Sequence, residues 1–416
     1  MGFNNLILLI GTNPLPNFVV ADYYLHNPRL THIWLVHSEK TKVQDGTLVY
    51  AENLKKAIEK RIDESCLKHK QISISFVSLS NVSDAKQISL DINNLLINKL
   101  CEGSSVHLNY TGGTKVMGTH SYLALKNTSK SLEKSYSYLD ARTFKIIDDD
   151  NGYITTDLRD SVKISFEDLI QLHAFERQNR NFVSYFPNVL GKFKKRINSN
   201  CMSEFFNTNG GYKRKLFENI NKKGELAEKV YQTDVQEIKK YSPNQVFQKV
   251  LDSFPDKCNP INDISEITDS NFKKAVKFLD GLWFEEFIYL VLIENLKEPN
   301  IEILIDWEIK KSNWKTNFQL DIILVKGYQL IGISCTTSRS KAICKSKGFE
   351  IIQRTKQIGG DEARAILFTL LEDANKTELQ NELIEDTGGA MSNILVFGFD
   401  DINESYIIDK INNFVK

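Results

Sequence analysis

The chain has no C-x-x-C pair, no long apolar run and no excess of either charge, and each absence removes a class of protein. The six cysteines (Cys66, Cys101, Cys201, Cys258, Cys335 and Cys344) are scattered. Neither a disulfide framework nor a cysteine-built zinc site is expected; the thiols read as reduced, in a cytoplasmic protein. The stretch Leu6 to Ile10 is too short to span a bilayer and has no basic segment ahead of it, so no membrane partner is expected. Lys+Arg and Asp+Glu number 53 each, so only local patches could indicate nucleic acid. The Walker spacing and the dinucleotide G-x-G-x-x-G pattern are both missing.

What is present is Asn109-Tyr110-Thr111-Gly112-Gly113-Thr114-Lys115-Val116-Met117. A strand pattern, Ser105 to Leu108, precedes it, and an apolar-periodic helix pattern, Met117 to Leu125, follows. A Gly-Gly turn alone is ordinary punctuation. Flanked by Thr111, Thr114 and Lys115 at a helix start, it offers free backbone N–H groups, two hydroxyls and an ammonium, which suits a phosphate-bearing ligand.

The 416 residues suggest two or three domains, and 24 Phe and 15 Tyr can fill sizeable cores. Residues 1–165 alternate strand and helix patterns. Strands are expected at 6–10, 33–36, 72–77 and 106–110, helices near 17–26, 46–66, 83–100 and 115–127, and a hairpin at 136–139 and 144–147. This predicts an α/β domain with a parallel sheet covered on both faces. Ligands of such sheets sit beyond the carboxyl ends of the strands, where strand order reverses. The loops Gly11-Thr12-Asn13-Pro14-Leu15-Pro16 and Thr111 to Lys115 fit that place, and His37 and Ser38 lie after the second strand.

Residues 166–275 read as a mainly helical connecting region, with helical patterns at 166–176 and 226–235. A basic cluster runs from Lys192 to Lys223 and suits either a solvated surface or nucleic-acid backbone. Residues 276–416 return to mixed α/β. A long helix is expected at 274–296, strands at 301–305, 320–325 and 330–335, a helix at 343–357 and strands at 365–370 and 394–399. Many metal-dependent nucleases share this order, in which carboxylates hold Mg²⁺ or Mn²⁺ and a lysine offsets developing charge. Asp321 stands between Leu320 and Ile322, where an unpaired charge is costly. Gln319 shares its face. Glu285 and Glu286 lie on the preceding helix.

The Thr-Gly-Gly-Thr-Lys loop, with Gly11-Thr12-Asn13-Pro14, resembles the CARF domains of CRISPR-associated proteins, which are Rossmann-like. The C-terminal set Gly281 to Glu285, Asn317 to Asp321 and Ile333 to Thr336 resembles the PD-(D/E)XK restriction-endonuclease fold. The pair in this order resembles the CARF-plus-nuclease ancillary effectors of type III CRISPR antiviral defence.

The resemblance implies a homodimer that binds cyclic oligoadenylate, cyclic tetra-adenylate for this group, and then cuts DNA or RNA. Carried over by position, Gly11, Thr12, Asn13, Pro14, Ser38, Thr111, Gly112, Gly113, Thr114, Lys115 and Met117 would line the ligand site. Glu285 and Asp321 would bind metal, joined by Gln319. Ser334 and Thr336 stand where that fold carries an acidic residue and a lysine. Either Lys341 or Lys345 reaches back as the catalytic cation, with Glu350 completing the shell, or the nuclease domain is degenerate and the protein is a non-catalytic sensor. A ring nuclease that degrades its own ligand is a further alternative.

Overall fold

The computed structural model describes residues 2–42, 45–64, 67–179, 281–311, 317–388 and 393–416. The basic cluster, the helical pattern at 226–235 and the first residues of the 274–296 helix lie outside them.

The expected strands of the first part form β1 (Asn5–Leu9), β2 (His32–Ser38), β3 (Ser73–Leu79) and β4 (Ser105–Asn109). Between them lie α1 (Leu15–Tyr24), α2 (Leu48–Glu64) and α3 (Ala85–Leu95), and α4 (Lys115–Asn127) follows. Strand β1 pairs in parallel with β2 on one side and β4 on the other. Successive β1 side chains take opposite faces. Leu6 and Leu8 join a core with Val19, Val20, Leu54 and Ile58 of α1 and α2, while Ile7 and Leu9 pack with Ile88, Ile92, Met117 and Leu125 of α3 and α4. Both faces are therefore dry, which is why β1 is apolar throughout. Each such side chain contributes roughly 1.5–3 kcal/mol by leaving water.

The hairpin of β5 (Glu133–Asp140) and β6 (Lys145–Asp148), with the short β7 (Gly152–Tyr153), completes a seven-stranded sheet in the order 3-2-1-4-5-6-7.

The helical pattern at 166–176 is corrected at its end. Helix α5 (Phe166–Leu172) stops early, Ala174 takes a left-handed φ of 61°, and β8 (Phe175–Arg177) follows. Strand β8 pairs with β9 (Ile301–Lys311) and so forms an edge of the second sheet. That sheet continues through β10 (Phe318–Lys326), β11 (Gln329–Cys335), β12 (Arg364–Phe368) and β13 (Ile394–Phe397), in the order 13-12-11-10-9-8. Pairing is antiparallel from β8 to β11 and parallel from β11 to β13. The helices of this part are α6 (Trp283–Asn295), α7 (Lys341–Gly359), α8 (Asp373–Thr387) and α9 (Glu404–Val415).

One apolar core runs through both sheets, from Leu6 and Phe18 through Phe166 to Leu320 and Leu367. Phe166 meets Trp307 edge-on with ring centroids 5.0 Å apart, and Phe144 meets Tyr328 in the same manner at 6.2 Å. The buried Arg159 guanidinium donates to Asp157, to Gln329 Oε1 at 2.7 Å and to the carbonyls of Val415 and Lys416. Among the described residues, Cys101, Cys335 and Cys344 are free thiols, and no helix is long and apolar enough to cross a membrane.

Candidate functional site

In the first sheet the strand order turns between β1 and β4, so the loops beyond their carboxyl ends flank one crevice. The loops touch: a Cβ added to Gly11 would lie 3.2 Å from Gly113 N. Gly112 is seated on β1, where an added Cβ would meet Leu9 O at 2.1 Å. Its lack of a side chain thus serves the packing of the loop beneath the crevice. Thr114 caps α4, its hydroxyl accepting the Met117 N–H at 3.2 Å. Thr12, Thr114 and Lys115 are exposed where the two loops meet, beside Gly11, Gly113 and the start of α4. This is a donor-rich, cationic tip suited to an anion.

Other residues expected to line this site are turned inward. Ser38 is buried, its N–H donates to Thr47 Oγ1 at 3.0 Å, and the Thr47 hydroxyl donates to Ile10 O at 2.9 Å. Sequence reasoning missed Thr47, which pins the loop after β2. The Thr111 hydroxyl donates to Asn109 Oδ1 at 2.7 Å and accepts the Leu139 N–H at 2.7 Å. Met117 is buried, with Sδ accepting the Thr114 N–H at 3.5 Å. Pro14 and His37 are buried as well. Asn13 Oδ1 accepts the Leu15 N–H at 3.1 Å and lies 3.0 Å from His173 Nε2, so its side chain is engaged within the fold.

The second constellation surrounds Asp321 on β10. Its Oδ2 accepts the Ser334 hydroxyl and the Cys335 N–H, each at 2.9 Å, across the β10–β11 pairing. Burial raises its pKa, the two hydrogen bonds and the Lys347 ammonium oppose that rise, and Glu350 adds to it. Burial also pushes the Cys335 thiol well above its usual range, and Asp321 and Glu285 push the same way, so both carboxylates act on one sulfur. Gly281, just ahead of α6, faces Thr337, which sets the Glu285 turn beside the end of β11.

Lys341 and Lys345 do not reach back to Asp321. Lys341 Nζ pairs with Glu378 at 2.6 Å and Glu382 at 2.5 Å, and Lys345 Nζ with Glu382 at 2.7 Å and Asp386 at 2.9 Å, all on α8. These carboxylates hold both ammonium groups above their usual pKa. The lysine that acts on Asp321 is Lys347, itself paired with Glu350 at 3.3 Å. Gln319 donates to Asp306 Oδ1 at 2.6 Å instead of joining Asp321.

Asp306 lies on β9 between the paired positions Trp307 with Leu320 and Ile305 with Ile322, and takes a left-handed φ of 55°. That conformation breaks the ladder opposite Asp321; aspartate is one of the few side chains that tolerate it. No group of three His, Cys, Asp or Glu side chains able to hold a metal ion occurs among the described residues. A cleft of about 370 Å³ lined by Asn53, Lys56, Lys60, Asp168 and Gln171 shares no residue with either place.

No family model matches the chain, and no curated protein matches its sequence. Solved structures do match in fold. Protein VC1899 from Vibrio cholerae aligns with a TM-score of 0.62 at 15% identity, over 99% of this chain and 98% of that one. Can2 from Sulfobacillus thermosulfidooxidans, in complex with cyclic tetra-adenylate, aligns with a TM-score of 0.58 at 15% identity, over 99% of each chain. At that identity the likeness is one of fold alone.

Proposed function

We propose that this protein is a cyclic oligoadenylate-activated, metal-dependent nuclease of type III CRISPR defence, working as a homodimer. The observation that carries the reading is the tip between β1 and β4, with a capped helix start and exposed Lys115, in a fold shared end to end with a protein that binds cyclic tetra-adenylate. A cyclic tetranucleotide offers phosphates in a ring, and two copies of the tip facing each other would present amides and ammonium groups to opposite sides of it. The apolar side chains Leu90, Val116 and Leu123 on α3 and α4 are 45%, 38% and 40% exposed, and Val116 adjoins Lys115. A second copy of this chain would cover them beside the ligand.

In the second unit, Glu285 and Asp321 are the residues that would hold Mg²⁺ or Mn²⁺. What supports the pair is that both carboxylates bear on the Cys335 thiol at the end of β11; no third His, Cys, Asp or Glu stands with them as a metal ligand among the described residues, and Gln319 is engaged by Asp306. The bound cation would supply an activated water and neutralise phosphate charge. This chain's own residues do the rest. Ser334 and the Cys335 amide fix the Asp321 carboxylate, and Lys347, whose charge acts on Asp321, would offset negative charge as it develops.

The test is incubation with single- and double-stranded DNA and RNA, with Mn²⁺, with and without cyclic tetra-adenylate. Cleavage that depends on both additives supports the reading. A non-catalytic sensor is the second reading. It is favoured by the lack of a three-ligand group among the described residues and by Ser334 and Thr336, and ligand binding without cleavage of any substrate would select it. Linear products from the cyclic ligand itself would point to a ring nuclease.

A further inference from the structure

Resting on that reading, we infer that α7 transmits occupancy of the tip to the Asp321 centre, and that Asn13, packed against Gly360 at the end of α7, is the joint. Helix α7 has 19 residues, about 28 Å of rigid rod at 1.5 Å per residue. It is packed on β11, the strand that holds Asp321 through Ser334 and Cys335: a Cβ added to Gly332 would lie 2.1 Å from Thr355 Oγ1 and 3.0 Å from Ile351 Cδ1, and Lys347 and Glu350 on its first half bear on the Asp321 charge. Its far end abuts the β1 loop: a Cβ added to Gly360 would lie 1.9 Å from Asn13 Nδ2 and 3.1 Å from Glu362 Oε2. Gly360 has a φ of 70°, a conformation that with this crowding admits only glycine. Loop and helix end are in contact with no slack, so a displaced loop moves the rod.

The joint also has two competing arrangements. His173 is buried, and burial lowers its pKa to about 4, so the ring carries one N–H. That single proton faces two oxygens, Leu169 O at 3.0 Å from Nδ1 and Asn13 Oδ1 at 3.0 Å from Nε2. Turning the Asn13 amide over would give Nε2 a donor but would take the acceptor from the Leu15 N–H. Beside it, Glu362 Oε2 and the Tyr328 hydroxyl are buried without hydrogen-bond partners. Unmet polar groups of this kind keep a packed junction poised between states. Asn13 follows exposed Thr12, so a ligand at the tip can favour one amide orientation over the other.

The experiment pairs calorimetry with a cleavage assay on full-length Asn13→Ala, using cyclic tetra-adenylate. The expected result is binding within about threefold of wild type and at least a tenfold loss of ligand stimulation. Hydrogen exchange at residues 355–362 should change on ligand addition in wild type and not in the variant, a readout that simple destabilisation would not give. Should Asn13→Ala fail to fold, Glu362→Gln at the same joint is expected to lower stimulation while keeping binding. Full stimulation in the variants, or loss of binding by more than tenfold, overturns the joint alone. No binding by wild type overturns the reading of the tip and the joint with it.

Discussion

At the tip of the first sheet the outward-facing groups are backbone amides, hydroxyls and the Lys115 ammonium; at Asp321 the central group is a buried carboxylate already held by a hydroxyl and an amide. The tip comes from two short loops that are each continuous in sequence. The Asp321 centre draws on α6, β10, β11 and α7, brought together only by the second sheet. A site built from consecutive residues depends on local backbone geometry. One built from four elements depends on every packing contact that holds them in register.

The contrast can be broken most sharply at Asp321. Asp321→Asn should lower cleavage roughly 100-fold or more while leaving ligand affinity within about threefold, since the tip shares no residue with it. Loss of binding by more than about tenfold in calorimetry would mean that Asp321 supports the ligand site itself and not only the coupling through α7.

Glu362 comes next. Burial lifts its carboxyl to about 7, from an ordinary value of 4.5. Because the folded pKa is the higher one, the stability it confers is complete below pH 4.5 and drains away as pH rises to about 7. Glu362→Gln should therefore gain stability over wild type across that window, by about 3 kcal/mol at most, and level off above it. Denaturant titrations at pH 4.5, 6 and 8 check this; equal stability of the two proteins at pH 8 would contradict it.

Lys115→Ala should weaken ligand binding on the order of tenfold, with a shallower salt dependence, through loss of one charge-assisted contact. Lys341→Ala and Lys345→Ala should change the cleavage rate by less than about threefold, because their ammonium groups are committed to α8. Lys347→Ala should exceed both. A large effect at Lys341 or Lys345 would return the catalytic cation to where sequence alone suggested it.

The architecture of the first sheet was legible because apolar runs and the Gly-Gly turn are local signals. The same holds for the β10–β11 hairpin, where Lys326-Gly327-Tyr328-Gln329 stands between two apolar runs. Strand β8 was not legible: three residues carry no period, and the break before it depends on the left-handed Ala174. The partners of Lys341 and Lys345 were hidden because their carboxylates lie a whole strand and helix later in the chain. Ser38 looked available as a loop hydroxyl, and only the fold shows Thr47 closing over it. Asp306 gave no signal, since its meaning lies in a backbone angle opposite Asp321.

The uninterrupted apolar interior that joins the two sheets has a consequence for engineering and for descent. Grafting the amino-terminal half, through β8, onto a different partner domain would take Trp307 and Phe318 away from Phe166 and Phe175 and leave those two rings in water, so such chimaeras must recut that seam or precipitate. The two halves of this chain are constrained to change together, with a substitution on either flank of the seam answered on the other.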